Sequence, residues 1–279
     1  ATDIDDLRGN ENVKVVDGPG GEIRYIVFNF DTQPFGATTA EADPAKALAV
    51  RQAMAHLVDR EELADQVYKG TYTPLYSYVP KGLNGATDAL KVLYGDGNGG
   101  PDVGKAESTL KDAGVATPVA VDLQYNTDHY GPGSSDEYAL IKDQLESSGL
   151  FTVDLQSTEY VQYVKDRTAD VYPVYQLGWF PDYSDADNYL SPFFLTENFL
   201  DNHYSDPQVN DMILEQAVTT DEAKRTALIG EIQDKVAAQL STLPLLQGAQ
   251  VAITGTGVTG TADTLDGSFK FRYGALAKG

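Results

Sequence analysis

Between Val119 and Gln156 the sequence spells one strand, one helix and a second strand, and few folds accept that order. Val119, Val121, Leu123 and Tyr125 alternate with Ala120, Asp122, Gln124 and Asn126, the period of two expected of a strand covered on one side. Ser134 with Glu137 three residues on reads as a helix cap and its partner. Tyr138, Ile141 and Leu145 then share one face before Gly149 ends the helix. Phe151, Val153 and Leu155 alternate in turn with Thr152, Asp154 and Gln156. Strands joined by a helical crossover of this size are expected to lie parallel and adjacent, with a right-handed connection. The fold class that follows is α/β, a mixed, largely parallel sheet flanked by helices.

The flanking sequence extends the same pattern. Ile23 to Phe30 reads as a strand after the turn-rich Gly18-Pro19-Gly20-Gly21. A helix over Pro44 to Val58 carries Val50, Ala53, Met54 and Leu57 on one stripe. A second helix starts at Asp59 with Glu62 as its capping-box partner, turns Leu63, Val67 and Tyr68 inward, and stops at Gly70. Residues 71–101, rich in Tyr, Pro and Gly, read as loop, and a helix over Asp102 to Ala113 is closed by Gly114. Further helices are expected at Tyr160 to Arg167, Gln208 to Val218 and Glu222 to Leu240. The Gly/Thr-rich tail from Leu243 carries strand-like pieces at Gln250–Thr254 and Ser268–Tyr273.

Charge narrows the partners. Forty-two acidic residues against 20 basic ones give a formal net charge of −22, which repels phosphate backbones and anionic lipid headgroups and argues against nucleic acid. It serves solubility, or the attraction of cationic ligands. The absence of cysteine excludes disulfides, thiolate metal sites and cysteine nucleophiles. No run approaches the ~20 apolar residues that span a bilayer. The start at Ala1-Thr2-Asp3, inside a polar segment, reads as a processed chain or an excised piece.

The stretch Val171 to Leu195 concentrates the candidate chemistry. An apolar run ends in Gly178 and Trp179, and a loop with Asp182, Asp185 and Asp187 follows. Ligands of α/β proteins bind where loops leave the carboxyl ends of strands. Trp179 serves there either as half-buried packing or as the wall of a cleft, and the residues leave both open. A carboxylate at Asp182 suits a ligand ammonium, whereas Asp185 and Asp187 suit the cap of a helix beginning near Asn188. Catalysis by the Asp cluster as in a glycoside hydrolase would need a carboxylate spacing that sequence does not give. An EF-hand count from Asp96 fails because Pro101 occupies the glycine position and no helix precedes it. His56, His129 and His203 have no partners at ligand spacing, so no metal and no cofactor are expected. Hydrolase, nucleotide-binding and dinucleotide motifs are absent.

The segment V-R-Q-A-M-A-H-L-V-D-R-E-E-L-A-D-Q-V-Y-K-G (Val50 to Gly70), followed by Thr73-Pro74, together with L-Q-Y-N-T and G-W-F-P-D-Y-S-D-A-D-N-Y-L, resembles the extracellular solute-binding proteins of family 5. These are oligopeptide and dipeptide receptors of ABC importers, and the resemblance covers nearly the whole chain. It implies a periplasmic-binding-protein-like (type II) fold whose two lobes close over an extended peptide, without catalysis. It makes Asp182 the residue for the ligand's α-ammonium and Trp179 a wall of the cleft, with Tyr125, Asn126 and Thr127 as further ligand-lining candidates. Some peptide receptors of the family carry Arg shortly before the G-W pair, whereas this chain has Gln176 and Leu177 there. The implied partners are a peptide and the membrane-embedded permease subunits of the importer, with the protein itself a monomer. The implied location is extracellular or periplasmic, by secretion or a lipid anchor. Family members are longer, so the chain is expected to be the second lobe. Residues 1–24 would come from the first lobe, 25–248 would form the ligand-binding lobe, and 249–279 would return, with hinges near Tyr25–Phe28 and Gly248–Val251. An oligosaccharide receptor on the same scaffold is the alternative, using Trp179 and the tyrosines for stacking, and a carboxylate-based hydrolase the more distant one.

Overall fold

The computed structural model describes residues 2–18, 20–268 and 271–279, apart from the side chains of Thr2, Asp3 and Asp5. The chain opens with α1 (Thr2–Arg8) and β1 (Val13–Gly18), which no periodicity announces, and then β2 (Ile23–Phe28). Next come α2 (Pro44–Leu57), α3 (Arg60–Gln66), β3 (Tyr72–Pro74), α4 (Ala89–Leu93) and α5 (Val103–Asp112). The predicted unit follows as β4 (Val119–Asn126), α6 (Ser134–Ser147) and β5 (Phe151–Thr158), then α7 (Tyr160–Thr168) and β6 (Val174–Trp179). Three helices, α8 (Asp187–Phe194), α9 (Pro207–Val218) and α10 (Glu222–Gln239), lead to β7 (Thr242–Gly248) and β8 (Gln250–Gly255). Short strands β9 (Val258–Thr259) and β10 (Ala277–Lys278) pair near the end. The strand expected over Ser268–Tyr273 falls partly outside the described residues.

Six strands form the central sheet in the order β3-β7-β2-β6-β4-β5. β4 and β5 run parallel in register from Val119 opposite Phe151 to Asn126 opposite Thr158, as the crossover requires. β6 joins β4 in parallel, and β2 then inserts antiparallel between β6 and β7. The sheet is therefore mixed, with its parallel part confined to β6, β4 and β5. All six residues of β2 are buried, because both faces are covered by helices. Successive side chains prove it: Arg24 meets Tyr68 in the turn after α3 and Glu137 of α6, while the Tyr25 ring sits edge-on to Phe193 of α8 at 5.3 Å.

Four local expectations change. Asp59 does cap α3, accepting from the Glu62 N–H at 3.0 Å, but the return bond of the box is replaced. The Asp59 N–H goes to Gln144 Oε1, and the Glu62 carboxylate takes Gln144 Nε2 instead. Ser134 is not a cap: it is the first residue of α6, fully buried, and its Oγ accepts from Gln176. Residues 71–101 are not loop throughout, since they contain β3 and α4. Tyr25–Phe28 is not a hinge, because it is laddered on both sides in the middle of the sheet.

β7 is the element the sequence disguises. Pro244 argues against an interior strand because it lacks a ladder donor, yet β7 lies between β3 and β2 with every residue buried. A register shift between Arg24 and Tyr25 of β2 accommodates it, and the Pro244 carbonyl accepts from the buried Arg60 Nε at 2.8 Å. β1 and β8 form a separate antiparallel ladder from Val13 opposite Gly255 to Gly18 opposite Gln250. The sections before and after the main sheet are therefore paired with each other.

Candidate ligand-binding rim

One edge of the sheet collects the ends that matter. Trp179 lies opposite Ile23, Ile23 opposite Gln247, and Gly248 opposite Tyr72. The carboxyl ends of β4, β5, β6 and β7 thus share an edge with the starts of β2 and β3, where ligand-binding loops of α/β proteins cluster.

The loop leaving β6 is held at several points and leaves one carboxylate free. Asn188, buried in the first turn of α8, accepts both the Trp179 indole N–H and the Asp182 backbone N–H on Oδ1, each at 3.0 Å. Trp179 is half-buried, edge-on to Phe193 at 5.2 Å and Phe199 at 5.4 Å. Asp185 forms a two-pronged pair with Arg225, at 2.9 and 2.6 Å, and also accepts the Asp187 N–H. The bonds from Arg225 are the main reason its carboxyl titrates below the usual range, against the opposing effect of burial. Asp187 lies inside α8 rather than capping it. Its carboxylate receives Ser191 Oγ, Tyr183 Oη and Gln216 Nε2. Asp182 differs from both: it is exposed, and its carboxylate has no hydrogen bond or ion pair among the described residues.

The Tyr125-Asn126-Thr127 set divides. Tyr125 stacks on Tyr138 of α6 with ring centroids 5.8 Å apart, so it packs the helix layer. Asn126 is fully buried, donates Nδ2 to Gln176 Oε1 at 3.0 Å, and accepts the His129 N–H. Its carboxamide is spent on shaping the loop and is not open to a ligand. Gln176 bridges Asn126 to Ser134 and is equally enclosed. Thr127 alone of the three is exposed.

Beneath the rim lies a charged hub that the sequence does not signal. Arg24 donates to Glu22 at 3.2 Å, Tyr68 at 2.9 Å, Tyr72 at 3.0 Å, Glu137 at 3.5 Å and the Tyr130 carbonyl at 2.5 Å. Burial by itself would lower the Arg24 pKa, but the surrounding Glu137, Tyr68, Tyr72 and Glu22 together raise it. Burial pushes the Glu137 carboxyl up, and Arg24 and the Tyr68 hydroxyl offset this only in part. The hub ties β2, the turn after α3, β3, α6 and the loop after β4 to one guanidinium.

Close backbone packing joins this rim to the stretches before β2 and after β8. A side chain on Gly20 would lie 1.6 Å from the Gly248 carbonyl oxygen, and one on Gly21 would strike the Gly267 carbonyl oxygen at 2.2 Å and Pro181 at 2.6 Å. A small cavity of about 250 Å³ opens here, walled in part by Lys81, Ser184 and Asp266. Two larger cavities of about 620 and 460 Å³ lie at the opposite sheet edge around Gln33 and Phe35, and another of about 440 Å³ lies between α9 and α10, all away from the predicted site residues.

Comparison with known proteins agrees with this architecture. The glutathione-binding protein GsiB of Shigella dysenteriae is 25% identical over 279 residues, covering 95% of this chain and 50% of that protein. Di/tripeptide-binding protein 1 of Pseudomonas aeruginosa is 23% identical over 248 residues, covering 87% of this chain and 43% of that protein. The periplasmic binding protein DppA of Helicobacter pylori, solved with the peptide STSA, superposes with a TM-score of 0.79 at 18% identity, over 99% of this chain and 51% of that one. The chain thus spans about half the length of the relatives it matches. The family model described as bacterial extracellular solute-binding proteins, family 5 Middle, matches residues 1–201, and this chain belongs to that family.

Proposed function

We propose that this chain is the ligand-binding lobe of a two-lobed, extracytoplasmic peptide receptor that delivers its cargo to an ABC permease and performs no chemistry. The observation that carries the reading is the Asp182 carboxylate, left without a partner beside Trp179 on a loop whose other acids are committed. Such a group offers a peptide's ammonium a charge-assisted hydrogen bond. Relatives described as binding glutathione or di- and tripeptides support a short peptide as cargo. The oligosaccharide alternative has nothing in its favour, since Trp179 is turned edge-on into Phe193 and Phe199.

The lobe, expected over 25–248, takes in Ile23 and Arg24 as well in this reading, because both are laddered in the sheet with the rest of β2, and the chain before Gly20 and after Gly248 forms the crossing segments. The paired β1 and β8 and the contact of Gly20 with Gly248 support hinges at those glycines. Closure then follows from contacts the ligand makes with both lobes. In the two-lobed protein, Asp182→Ala is expected to weaken binding of a free-amine dipeptide about 10- to 100-fold by calorimetry, and to leave an N-acetylated dipeptide unaffected. Equal affinity of variant and parent for the free amine would overturn the ammonium role. Tight peptide binding by the 279-residue chain alone would overturn the two-lobe requirement.

A further inference from the structure

A rim whose guest carries both signs needs a cation, and the committed basic groups narrow the choice. Arg24 is enclosed by Glu22, Glu137 and two tyrosine hydroxyls; Arg225 is paired with Asp185, and Arg272 faces Asp266 at 3.4 Å. Lys81 is exposed, and its ammonium has no hydrogen bond or ion pair among the described residues.

The backbone of Lys81 is nonetheless fixed at this edge. Gln247 of β7 accepts the Lys81 N–H on Oε1 at 2.9 Å and donates Nε2 to the Lys81 carbonyl at 3.1 Å. The same Nε2 reaches the Gly20 carbonyl at 2.8 Å. One buried carboxamide therefore clamps the Lys81 turn against the entrance to β2. Lys81 and Ser184 line the same cavity of about 250 Å³, and Ser184 is two residues beyond Asp182. Asp266, also in its wall, is occupied by Ser268 and Arg272. The cavity is smaller than the ~300 Å³ at which small-molecule pockets begin, so it suits one group of a ligand rather than a whole one.

We propose that Lys81 is a specificity-determining residue of this rim, receiving a carboxylate that the ligand carries close to the amine held by Asp182. The inference rests on the peptide reading above. Two kinds of peptide place a carboxylate there: one with a γ-linked amino-terminal glutamate, whose α-carboxylate shares a carbon with the amine, and one with an ordinary acidic first residue.

The test is calorimetry on the two-lobed protein with Ala-Ala-Gly, α-linked Glu-Ala-Gly and γ-linked Glu-Ala-Gly. At least one acidic peptide should bind about tenfold more tightly than Ala-Ala-Gly, as one charge-assisted contact provides, and the stronger of the two identifies the carboxylate's source. Lys81→Ala should bring the three affinities together, and Lys81→Arg should keep part of the difference. A preference absent from the parent, a preference that survives Lys81→Ala, or an equal loss for all three peptides overturns the Lys81 role and leaves the peptide reading standing. Binding of none of them by the parent overturns both.

Discussion

Asp182 and Asp185 lie three residues apart on one loop, and their different partners give them different work. Asp185 is locked to Arg225, so it anchors the loop that presents Asp182. Its folded pKa is lowered, which means the pair contributes stability above the unfolded Asp pKa near 3.8 and loses it as pH falls through the folded value. Arg225→Gln should cost on the order of 0.5 kcal/mol at pH 7, discounted for solvent because both groups are partly exposed. In urea melts the difference should shrink progressively as pH falls below the unfolded Asp pKa; a deficit that stays constant with pH would assign the loss to packing of the Arg225 stem. The residues carrying Asp182 and Trp179 were legible in the motif. Asn188 was not, although it holds both, because a hydrogen bond six and nine residues back along a loop leaves no periodic trace. Asn126 was legible for its position and misleading for its role: nothing in Y-N-T says that Gln176 closes over it.

Among the elements, those with a period emerged where the sequence puts them, and those without one did not. The β4-α6-β5 unit follows its alternation from Val119 to Leu123 and from Phe151 to Asp154, while at the far end of β4 Gln124 and Asn126 on the other face are buried as well. β7 and β1 carry no such alternation. β7 is buried on both faces, so its side chains need not alternate, and its proline is tolerated only through the irregular register with β2. Caps behaved similarly. Asp102 and Asp206 cap α5 and α9 through their own side chains, a local matter, while Ser134 and Glu137 were drawn away into interior networks. The close approach of Gly20 to Gly248 gives a sharp expectation at this scale. Gly20→Ala places a methyl within 1.6 Å of the Gly248 oxygen, so the backbones must part, and the chain should lose about 1–3 kcal/mol as an overpacked site does. Denaturant melts that match the parent would show that the two segments are free to separate.

The molecule as a whole carries a net charge of −22, and its interior removes several of the few cations from the surface. Arg24, Arg51, Arg60 and Arg167 are all buried, at 5%, 4%, 2% and 5% exposure, so the outer shell is more acidic than the composition suggests. Self-repulsion of this kind opposes the compact state and is screened by salt, since the Debye length falls from about 10 Å at 0.1 M to about 3 Å at 1 M. The melting temperature should therefore rise by several degrees between 0.1 and 1 M KCl, with an equally concentrated uncharged solute giving a smaller rise; a flat or falling curve in KCl would sink the idea. By itself the sequence determined the α/β class, the crossover unit, most helices and the loop bearing Asp182, because hydrophobic period, caps and a local motif act over a few residues. Tertiary structure alone decided the antiparallel insertion of β2, the interior place of β7, the Arg24 hub and which acid is left free. Those depend on groups tens to more than two hundred residues apart meeting across a sheet, and no local pattern encodes who a buried charge will find there.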